Sequence, residues 1–214
     1  MGFDAIIFDL DGTLWDSSET VAACWREVMS RHGELPVVPD GGLIRSLMGM
    51  TSQQICDKVF AAYGEKGEEI CKLCLDEEPV YITEHGARLF EGLEQVLDTL
   101  AQRLPLFIVS NCQKNYIESF LNCSGMGRYF KGHTCEGDTG LGKADNIGLI
   151  MKQYGITKAI YVGDTASDEK SALAAGCEFV HAAYGFGTAA NPIAVAEDLK
   201  QIPDIIFALM EDES

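Results

Sequence analysis

Basic residues are scarce in this sequence of 214 residues. The chain has 16 Lys and Arg against 33 Asp and Glu, so its formal net charge is −17 with His counted as neutral. Nucleic acids and anionic membranes are bound by neutralising their negative charge, and with no Lys/Arg-rich run we expect neither as a partner. An anionic small substrate would need a locally positive pocket within this negative molecule.

Long apolar runs are also missing. None approaches the roughly 18 to 20 apolar residues of a membrane span, so no membrane segment is expected. The chain opens directly on a strand-like segment, residues 3–8, without the pattern of a signal peptide. We therefore expect a cytoplasmic protein whose eight cysteines are reduced.

A second pair of zinc ligands is lacking as well. Cys71-Lys-Leu-Cys74 is the only CxxC, and neither His85 nor a nearby pair of cysteines supplies two further ligands at matching spacing. The favoured interpretation is that Cys71 and Cys74 are two small residues on one helix face. The remaining composition, 47% hydrophobic and 23% charged, is that of an ordinary folded domain, with one core or one core plus a small inserted unit.

Four short apolar runs indicate buried parallel strands. They are residues 5–8 before Asp9, 106–109 before Ser110, 159–162 before Gly163, and 178–180 before His181. Helix-like periodicity occupies residues 92–103, 143–154 and 168–175. The alternation predicts an α/β fold with a doubly wound parallel sheet, in which Asp9, Ser110 and Asp164 meet at the carboxyl edge of the strands.

Residues 17–86 break this alternation, because their pattern is helical and contains no clear strand. We predict that they form a helical cap inserted after the first strand, and that residues 1–16 and 87–214 form the α/β core. The two connections fall near Trp15-Asp16 and His85-Gly86. Towards the end of the chain we expect a short strand around residues 193–196 and a last helix beginning at Pro203.

Four motifs follow the predicted strands in order. They are Asp9-Leu-Asp11-Gly12-Thr13, Ser110-Asn111, Lys143, and the segment from Gly163 to Asp168 with acids at Asp164 and Asp168. In this they resemble the haloacid dehalogenase superfamily, whose members carry a DxDGT loop, a Ser or Thr, a Lys and an acidic pair at these places. The resemblance covers nearly the whole chain. Tyr184-Gly-Phe-Gly187 resembles the glycine loop of the phosphoglycolate phosphatase-like branch.

The resemblance implies a Mg²⁺-dependent phosphatase that hydrolyses a small phosphorylated metabolite. A carboxylate attacking a phosphate dianion faces charge repulsion, so a divalent cation with hard oxygen ligands must lie between them. Asp9 would be the nucleophile that forms an aspartyl-phosphate. Asp11 would protonate the leaving group, activate the water and bind the metal through its carbonyl. Asp164 would complete the metal site, and Asp168 would either bind the metal through water or orient Lys143.

Polar groups near the nucleophile would hold the phosphoryl oxygens and stabilise transition-state charge. By the resemblance these are Thr13, Ser110, Asn111 and Lys143. Taken singly, each motif also fits a structural role as a loop cap, a helix N-cap, a solvated lysine or a turn. Their joint placement at strand ends favours a single site.

Two other functions compete with a phosphatase. A β-phosphoglucomutase-like isomerase would share the core and cap, but mutase relatives tend to carry Val where Thr13 stands and a basic cap residue where this chain has Met48. A non-catalytic binding module would normally have lost one of the acids, and none is lost. A dehalogenase is disfavoured because Asp11 is present.

Several positions stay open at the level of sequence. Trp15 either walls the substrate pocket or packs against the cap, and Arg45, the cation nearest to Met48, is more often a solvated residue than a ligand. The four histidines lack ligand spacing and are expected at the surface or in structural roles. Cys112 follows Ser110-Asn111 and is either near the pocket or, by default, a small buried filler. Ala144 follows Lys143 where relatives often have Pro. The substrate and the oligomeric state are not indicated.

Overall fold

A six-stranded parallel sheet forms the centre of the computed structural model, which describes residues 2–211. Its spatial order is β5-β4-β1-β6-β7-β8, and a separate antiparallel pair is formed by β2 and β3. The strands are β1 (Ala5–Phe8), β2 (Trp15–Asp16), β3 (Arg88–Leu89), β4 (Leu106–Ser110), β5 (Phe130–Cys135), β6 (Ala159–Gly163), β7 (Glu178–Ala182) and β8 (Ala194–Ala196).

Helices connect and cover these strands. They are α1 (Ser18–His32), α2 (Gly41–Arg45), α3 (Ser52–Ile55), α4 (Gly64–His85), α5 (Leu93–Ala101), α6 (Tyr116–Ser124), α7 (Glu136–Thr139), α8 (Lys143–Tyr154), α9 (Ala166–Ala174) and α10 (Ile202–Glu211). Short helical turns of other types cover Cys56–Phe60, Ala61–Tyr63, Met126–Tyr129 and Leu199–Gln201. Within residues 2–211, no helix combines the length and the apolar character needed to cross a bilayer.

The sheet is buried on both faces. Successive residues of β1 point to opposite sides, so that Ile6 and Phe8 pack into one apolar core while Ala5 and Ile7 pack into the other. A strand covered on both faces carries apolar residues continuously, which is why its sequence shows a run and not an alternation. The predicted doubly wound α/β fold is confirmed.

Residues 17–86, called the helical insert below, contain helices α1 to α4, and among the described residues they add no strand to the sheet. The chain enters and leaves the insert through β2 and β3, which pair Asp16 with Arg88. The buried Asp16 carboxylate accepts hydrogen bonds from the Ser18 hydroxyl at 2.5 Å and from Arg88 at 2.8 Å, with Arg45 at 3.5 Å. One carboxylate therefore ties both connections together.

The Trp15 side chain lies in the larger apolar core. Its ring is fully buried and packs edge-on against Tyr116 and Phe120 of α6, with ring centroids 6.1 and 5.0 Å apart. Its neighbours are thus on a core helix that follows β4, and it does not line the cavity described below.

A disulfide between Cys56 and Cys71 contradicts the expectation that all cysteines are reduced. The helical turn Cys56–Phe60 lies against α4, which brings the two Cα atoms to 5.7 Å, within the range that a disulfide spans. Cys74 remains a buried free thiol. The CxxC cysteines therefore have different roles, which their spacing did not indicate.

Candidate active site

The loop after β1 places two buried carboxyl groups at the carboxyl edge of the sheet. Asp9 and Asp11 are 2% and 6% exposed. Between Asp11 and Thr13, Gly12 adopts a positive φ of 82°, and a Cβ there would overlap the Asp164 carboxylate. Only glycine allows the loop to turn this tightly against the end of β6.

Lys143 connects two of the acids. As the first residue of α8, it donates from Nζ to Asp9 Oδ1 at 2.8 Å and to Asp168 Oδ1 at 2.5 Å. The other oxygen of Asp168 accepts from the Thr165 backbone N–H and hydroxyl, which caps the start of α9. Asp168 was expected either to bind the metal through water or to orient Lys143, and the structure shows the contact with Lys143.

Burial dominates the electrostatics of this cluster. It raises the pKa of Asp9 to about 6, although Lys143 opposes the shift. Burial and the neighbouring Asp9 and Asp168 charges raise the pKa of Asp164 to about 8. Burial alone would lower the pKa of Lys143, but Asp168 and Asp9 raise it well above its usual value. Three buried acids share one ammonium here, so a further cation would lower the cost of keeping them ionised.

The donor set fits Mg²⁺. Oxygen atoms of Asp9, Asp164 and Asp168 all lie within 4.8 Å of one another and are buried. Asp164 Oδ2 accepts from the Phe186 N–H at 2.7 Å, whereas Asp164 Oδ1 is buried without a hydrogen-bond partner. An unpartnered carboxylate oxygen in an all-oxygen cluster is suited to a hard divalent cation. The predicted glycine loop, Tyr184–Gly187, supplies this Phe186 contact.

The Asp11 side chain lies apart from this cluster. Its Oδ1 accepts from the Ser17 hydroxyl at 2.5 Å and from the Tyr116 hydroxyl at 3.2 Å. Burial raises the pKa of Asp11 to about 7, opposed by these two donors. Ser17 and Tyr116 were not predicted as site residues. No sequence signal links Tyr116 to Asp11, because the two residues are 105 positions apart.

Two of the predicted phosphate-binding residues, Ser110 and Asn111, reach the cavity beside Asp9. Asn111 Nδ2 donates to the Gly49 carbonyl of the insert at 3.0 Å, and Asn111 Oδ1 is buried without a partner. Thr13 is fully buried with an unpartnered hydroxyl, but it does not line the cavity.

A cavity of about 50 Å³ lies between the core and the helical insert. The core contributes Asp9, Asp11, Ser110, Asn111, Cys112, Gln113 and Tyr116, and the insert contributes Val21, Trp25, Ile44, Leu47, Met48, Gly49, Met50, Ser52, Ile55 and Glu78. No Lys or Arg of residues 2–211 lines it. Arg45 lies outside, paired with Asp16 and Glu19.

Glu78 is a buried acid that the sequence did not single out. It accepts from Trp25 Nε1 at 2.5 Å and from Gln113 Nε2 at 2.5 Å. Pro79 has no N–H, so within α4 the Leu75 carbonyl lacks its usual donor, and Gln113 Nε2 also lies 3.3 Å from that oxygen. Burial raises the pKa of Glu78 to about 8; Trp25 and Gln113 oppose this, and Asp11 adds to it.

The histidines lie outside the cavity. His181 is buried, with Nε2 at 3.1 Å from the Asp164 carbonyl oxygen, and His85 stacks on Tyr81. His133, on β5, comes together with Glu118 and the exposed Asp138, a cluster that no sequence spacing indicated. Cys112 lies in the cavity wall.

Comparison with known proteins gives consistent matches. The family model described as haloacid dehalogenase-like hydrolase matches residues 6–182. Phosphoglycolate phosphatases from Shigella boydii and Photobacterium profundum are 27% and 26% identical, over 97% and 96% of this chain and 89% and 96% of theirs.

Solved structures of similar fold span nearly the same length. A haloacid dehalogenase-like family hydrolase from Streptococcus pneumoniae has a TM-score of 0.81 at 24% identity, covering 95% of this chain and 98% of that one. A subfamily IA hydrolase of this superfamily from Geobacter sulfurreducens has a TM-score of 0.73 at 23% identity, covering 96% and 97%.

Proposed function

The chain belongs to the haloacid dehalogenase-like hydrolase family, and on this premise we propose that it is a Mg²⁺-dependent phosphatase of small phosphorylated metabolites. The observation that carries the proposal is the buried Asp9 carboxylate, which shares one site with Asp164, Asp168 and Lys143. Relatives named phosphoglycolate phosphatase support the reaction class, at 24 to 28% identity.

Asp9 would attack the phosphorus atom. An Asp9 oxygen–phosphorus bond forms while the bond from phosphorus to the leaving oxygen breaks. Asp9, Asp164 and the Asp11 carbonyl would hold Mg²⁺, with Asp168 near enough to bind through water. When bound, the cation would offset the repulsion between the carboxylate and the phosphate dianion.

Neutral donors and one ammonium would hold the transferred group. Lys143 already contacts Asp9. Ser110 and Asn111 line the cavity into which Asp9 also faces. The Thr13 hydroxyl is buried without a partner on the same loop, and its carbonyl accepts from Tyr184. These groups would stabilise the charge that develops on the phosphoryl oxygens.

Asp11 would move the protons. A carboxyl group whose pKa is raised to about 7 holds and releases a proton near neutral pH. It would give its proton to the leaving alkoxide and then take one from the water that hydrolyses the aspartyl-phosphate. Phosphate and free Asp9 result, so the proton on Asp11 is restored.

We also propose that residues 17–86 act as a cap domain over a core formed by residues 1–16 and 87–214. The antiparallel β2–β3 pair would be the hinge, and the Asn111–Gly49 hydrogen bond would hold the closed state. Closure would exclude bulk water during attack and reopening would release the alcohol.

The test is phosphate release from a panel of phosphorylated sugars, nucleotides and small alcohols, with Mg²⁺ and with EDTA. We expect Mg²⁺-dependent release that Asp9→Asn abolishes, because the amide keeps the shape but does not attack phosphorus. Asp98→Asn, an exposed acid on α5, is the matched control and should keep wild-type rates. Release that persists in Asp9→Asn or in EDTA would contradict the proposal.

One further assay separates a phosphatase from a phosphoglucomutase-like isomerase. A mutase must bind a second phosphate, and no Lys or Arg in the described part of the chain lines the cavity. With β-glucose 1-phosphate and trace bisphosphate, we expect no formation of glucose 6-phosphate. Glucose 6-phosphate appearing faster than free phosphate would favour the isomerase.

A further inference from the structure

We infer that the cavity selects phosphate esters of short amino alcohols, with the ammonium of the leaving group paired to Glu78. This inference rests on the proposed phosphatase function, because it assigns the part of the substrate that departs when Asp9 is phosphorylated. Glu78 and Trp25 both belong to the helical insert and both line the cavity.

The first argument is the missing counter-charge of Glu78. Its side chain is buried, and each carboxylate oxygen receives one hydrogen bond from an uncharged donor, Trp25 or Gln113. The groups that act on its charge are those two donors and Asp11, and none of them is a cation. Burial raises the pKa of Glu78 to about 8, so near neutral pH the group keeps its proton until a cation is present, because an ionised buried carboxylate is normally paired with a positive group. A ligand ammonium would supply that group.

The second argument is the shape and composition of the walls. Around Glu78 the insert presents the Trp25 indole and the aliphatic side chains of Val21, Ile44, Leu47 and Ile55. The Trp25 N–H donates to Glu78 and so holds this carboxyl group in place, and aliphatic walls suit a short methylene chain. A volume of about 50 Å³ holds only a few water-sized groups, which favours a leaving group with a short chain.

The third argument is the unfavourable fit of other leaving groups. A carboxylate, as in phosphoglycolate, would face Glu78 and Asp11 with no Lys or Arg among the described lining residues. An uncharged hydroxyl would bind without repulsion but would form no ion pair with Glu78. Because Asp11 raises the pKa of Glu78, both carboxyl groups influence the same small volume. Asp11 would therefore contact the oxygen of the leaving group, and Glu78 would bind its far end.

A matched series of three two-carbon substrates tests this inference. 2-Aminoethyl phosphate, 2-hydroxyethyl phosphate and phosphoglycolate end in a cation, a neutral group and an anion. A hydrogen bond to a charged group contributes about 1.5–3 kcal/mol, so we expect kcat/KM for the amine to exceed that for the alcohol by about ten- to a hundredfold. Phosphoglycolate should be the poorest of the three.

The variant Glu78→Gln removes the charge at nearly constant size. The ratio of kcat/KM for the amine to that for the alcohol should fall towards one, and phosphoglycolate should gain relative to both. Glu77→Gln is the matched control, because Glu77 is the preceding residue of α4, is partly exposed and pairs with Arg31. It should keep the wild-type order of the three substrates. The wild-type series alone decides the inference if Glu78→Gln fails to fold.

Acetyl phosphate, a small activated substrate, separates the two possible failures. If wild type hydrolyses acetyl phosphate but shows no preference for the amine, the ammonium site is wrong and the phosphatase proposal stands. If wild type hydrolyses neither acetyl phosphate nor any ester of the series, the proposed function itself fails. An amine preference that Glu78→Gln retains would also overturn the role of Glu78.

Discussion

Three buried carboxyl groups line one cavity, and each has a different kind of partner. Asp9 contacts the Lys143 ammonium, Asp11 accepts from two hydroxyl groups, and Glu78 accepts from two uncharged N–H groups. These partners suit Asp9 as a nucleophile that stays ionised and Asp11 as an acid–base group that exchanges a proton. They suit Glu78 as a group that binds a cation of the ligand. Environment, more than residue type, distinguishes the three.

The state of Glu78 predicts a pH dependence of stability. Its pKa is raised from 4.5 to about 8 by burial. Below the pKa of the unfolded state, Glu78 is protonated in both the folded and the unfolded chain, so it does not make the free energy of unfolding depend on pH. Between these values the unfolded chain releases the proton while the folded chain keeps it, so the free energy of unfolding falls as pH rises.

Glu78→Gln should therefore flatten the pH profile of thermal unfolding in metal-free, ligand-free protein. Between about pH 5 and pH 8 the wild type should lose on the order of 3 kcal/mol more than the variant. The internal reference is the offset between the two proteins at about pH 4, where the carboxyl is protonated in both states. Parallel profiles over the whole range would show that Glu78 is not buried in the way described.

Sequence patterns identified residues that adjoin strand ends and missed those that approach from other elements. Asp9, Asp164 and Asp168 meet because parallel strands bring their carboxyl ends to one edge, and Lys143 reaches them from the start of α8. Tyr116, Gln113 and Glu78 depend on how α4 and α6 pack over that edge. Such packing is determined by many small apolar contacts, and no local pattern records it.

At the scale of elements, the edge strand β8 lies where a short strand was expected, around residues 193–196, whereas the opposite edge strand, β5, was not predicted. β5 pairs only with β4, and its sequence, Phe-Lys-Gly-His-Thr-Cys, lacks an apolar run because most of its side chains are partly exposed. Gly132 allows close approach of Tyr154, whose hydroxyl donates to the Lys131 carbonyl at 3.0 Å. An edge strand of this kind resembles a loop in sequence.

Helix α4 extends over Gly64–His85 and passes through Pro79. Pro79 interrupts the helical hydrogen bonds without ending the helix, since side chains from other elements replace what is lost. Gln113 lies 3.3 Å from the Leu75 carbonyl, and Ser119 donates to the Pro79 carbonyl at 2.7 Å. Proline predicts an end to a helix only where such partners are absent.

The disulfide gives a prediction for the insert. Cys56 and Cys71 are 15 positions apart, and closing a loop of that size stabilises a fold by about 3 kcal/mol. Reductant should lower the thermal midpoint of the wild type and expose the insert to proteases before the core. Cys56→Ser is the control, because it should melt at the lower midpoint and respond to reductant no further.

Alkylation of the unfolded protein checks the same bond independently. Without reductant, six of the eight cysteines should react, and all eight should react after reduction. Eight reactive thiols without reductant would show that the pair is open in solution, in agreement with the expectation of reduced thiols.

At the scale of the whole molecule, the net charge and the proposed chemistry have opposite requirements. A chain of charge −17 repels a phosphate dianion, so attraction has to be local. Lys143 at the start of α8 and a cation held by Asp9 and Asp164 would supply it within a few ångströms of the reacting atoms. The overall fold and the place of the insert follow from strand-like runs and their absence, whereas the acidic, cation-free lining of the cavity becomes visible only in three dimensions.

The central claim is that Asp9 carries the phosphoryl group, and trapping that intermediate tests it most directly. Asp11→Asn should accumulate it from acetyl phosphate and Mg²⁺, because acetate leaves without a proton whereas hydrolysis still requires a base. After acid quenching, intact mass and peptide mapping should show one phosphoryl group on the peptide that contains Asp9, and none in the variant that also carries Asp9→Asn. A wild-type enzyme that releases phosphate while Asp11→Asn shows no phosphoprotein, or shows it on Ser110, would contradict the claim.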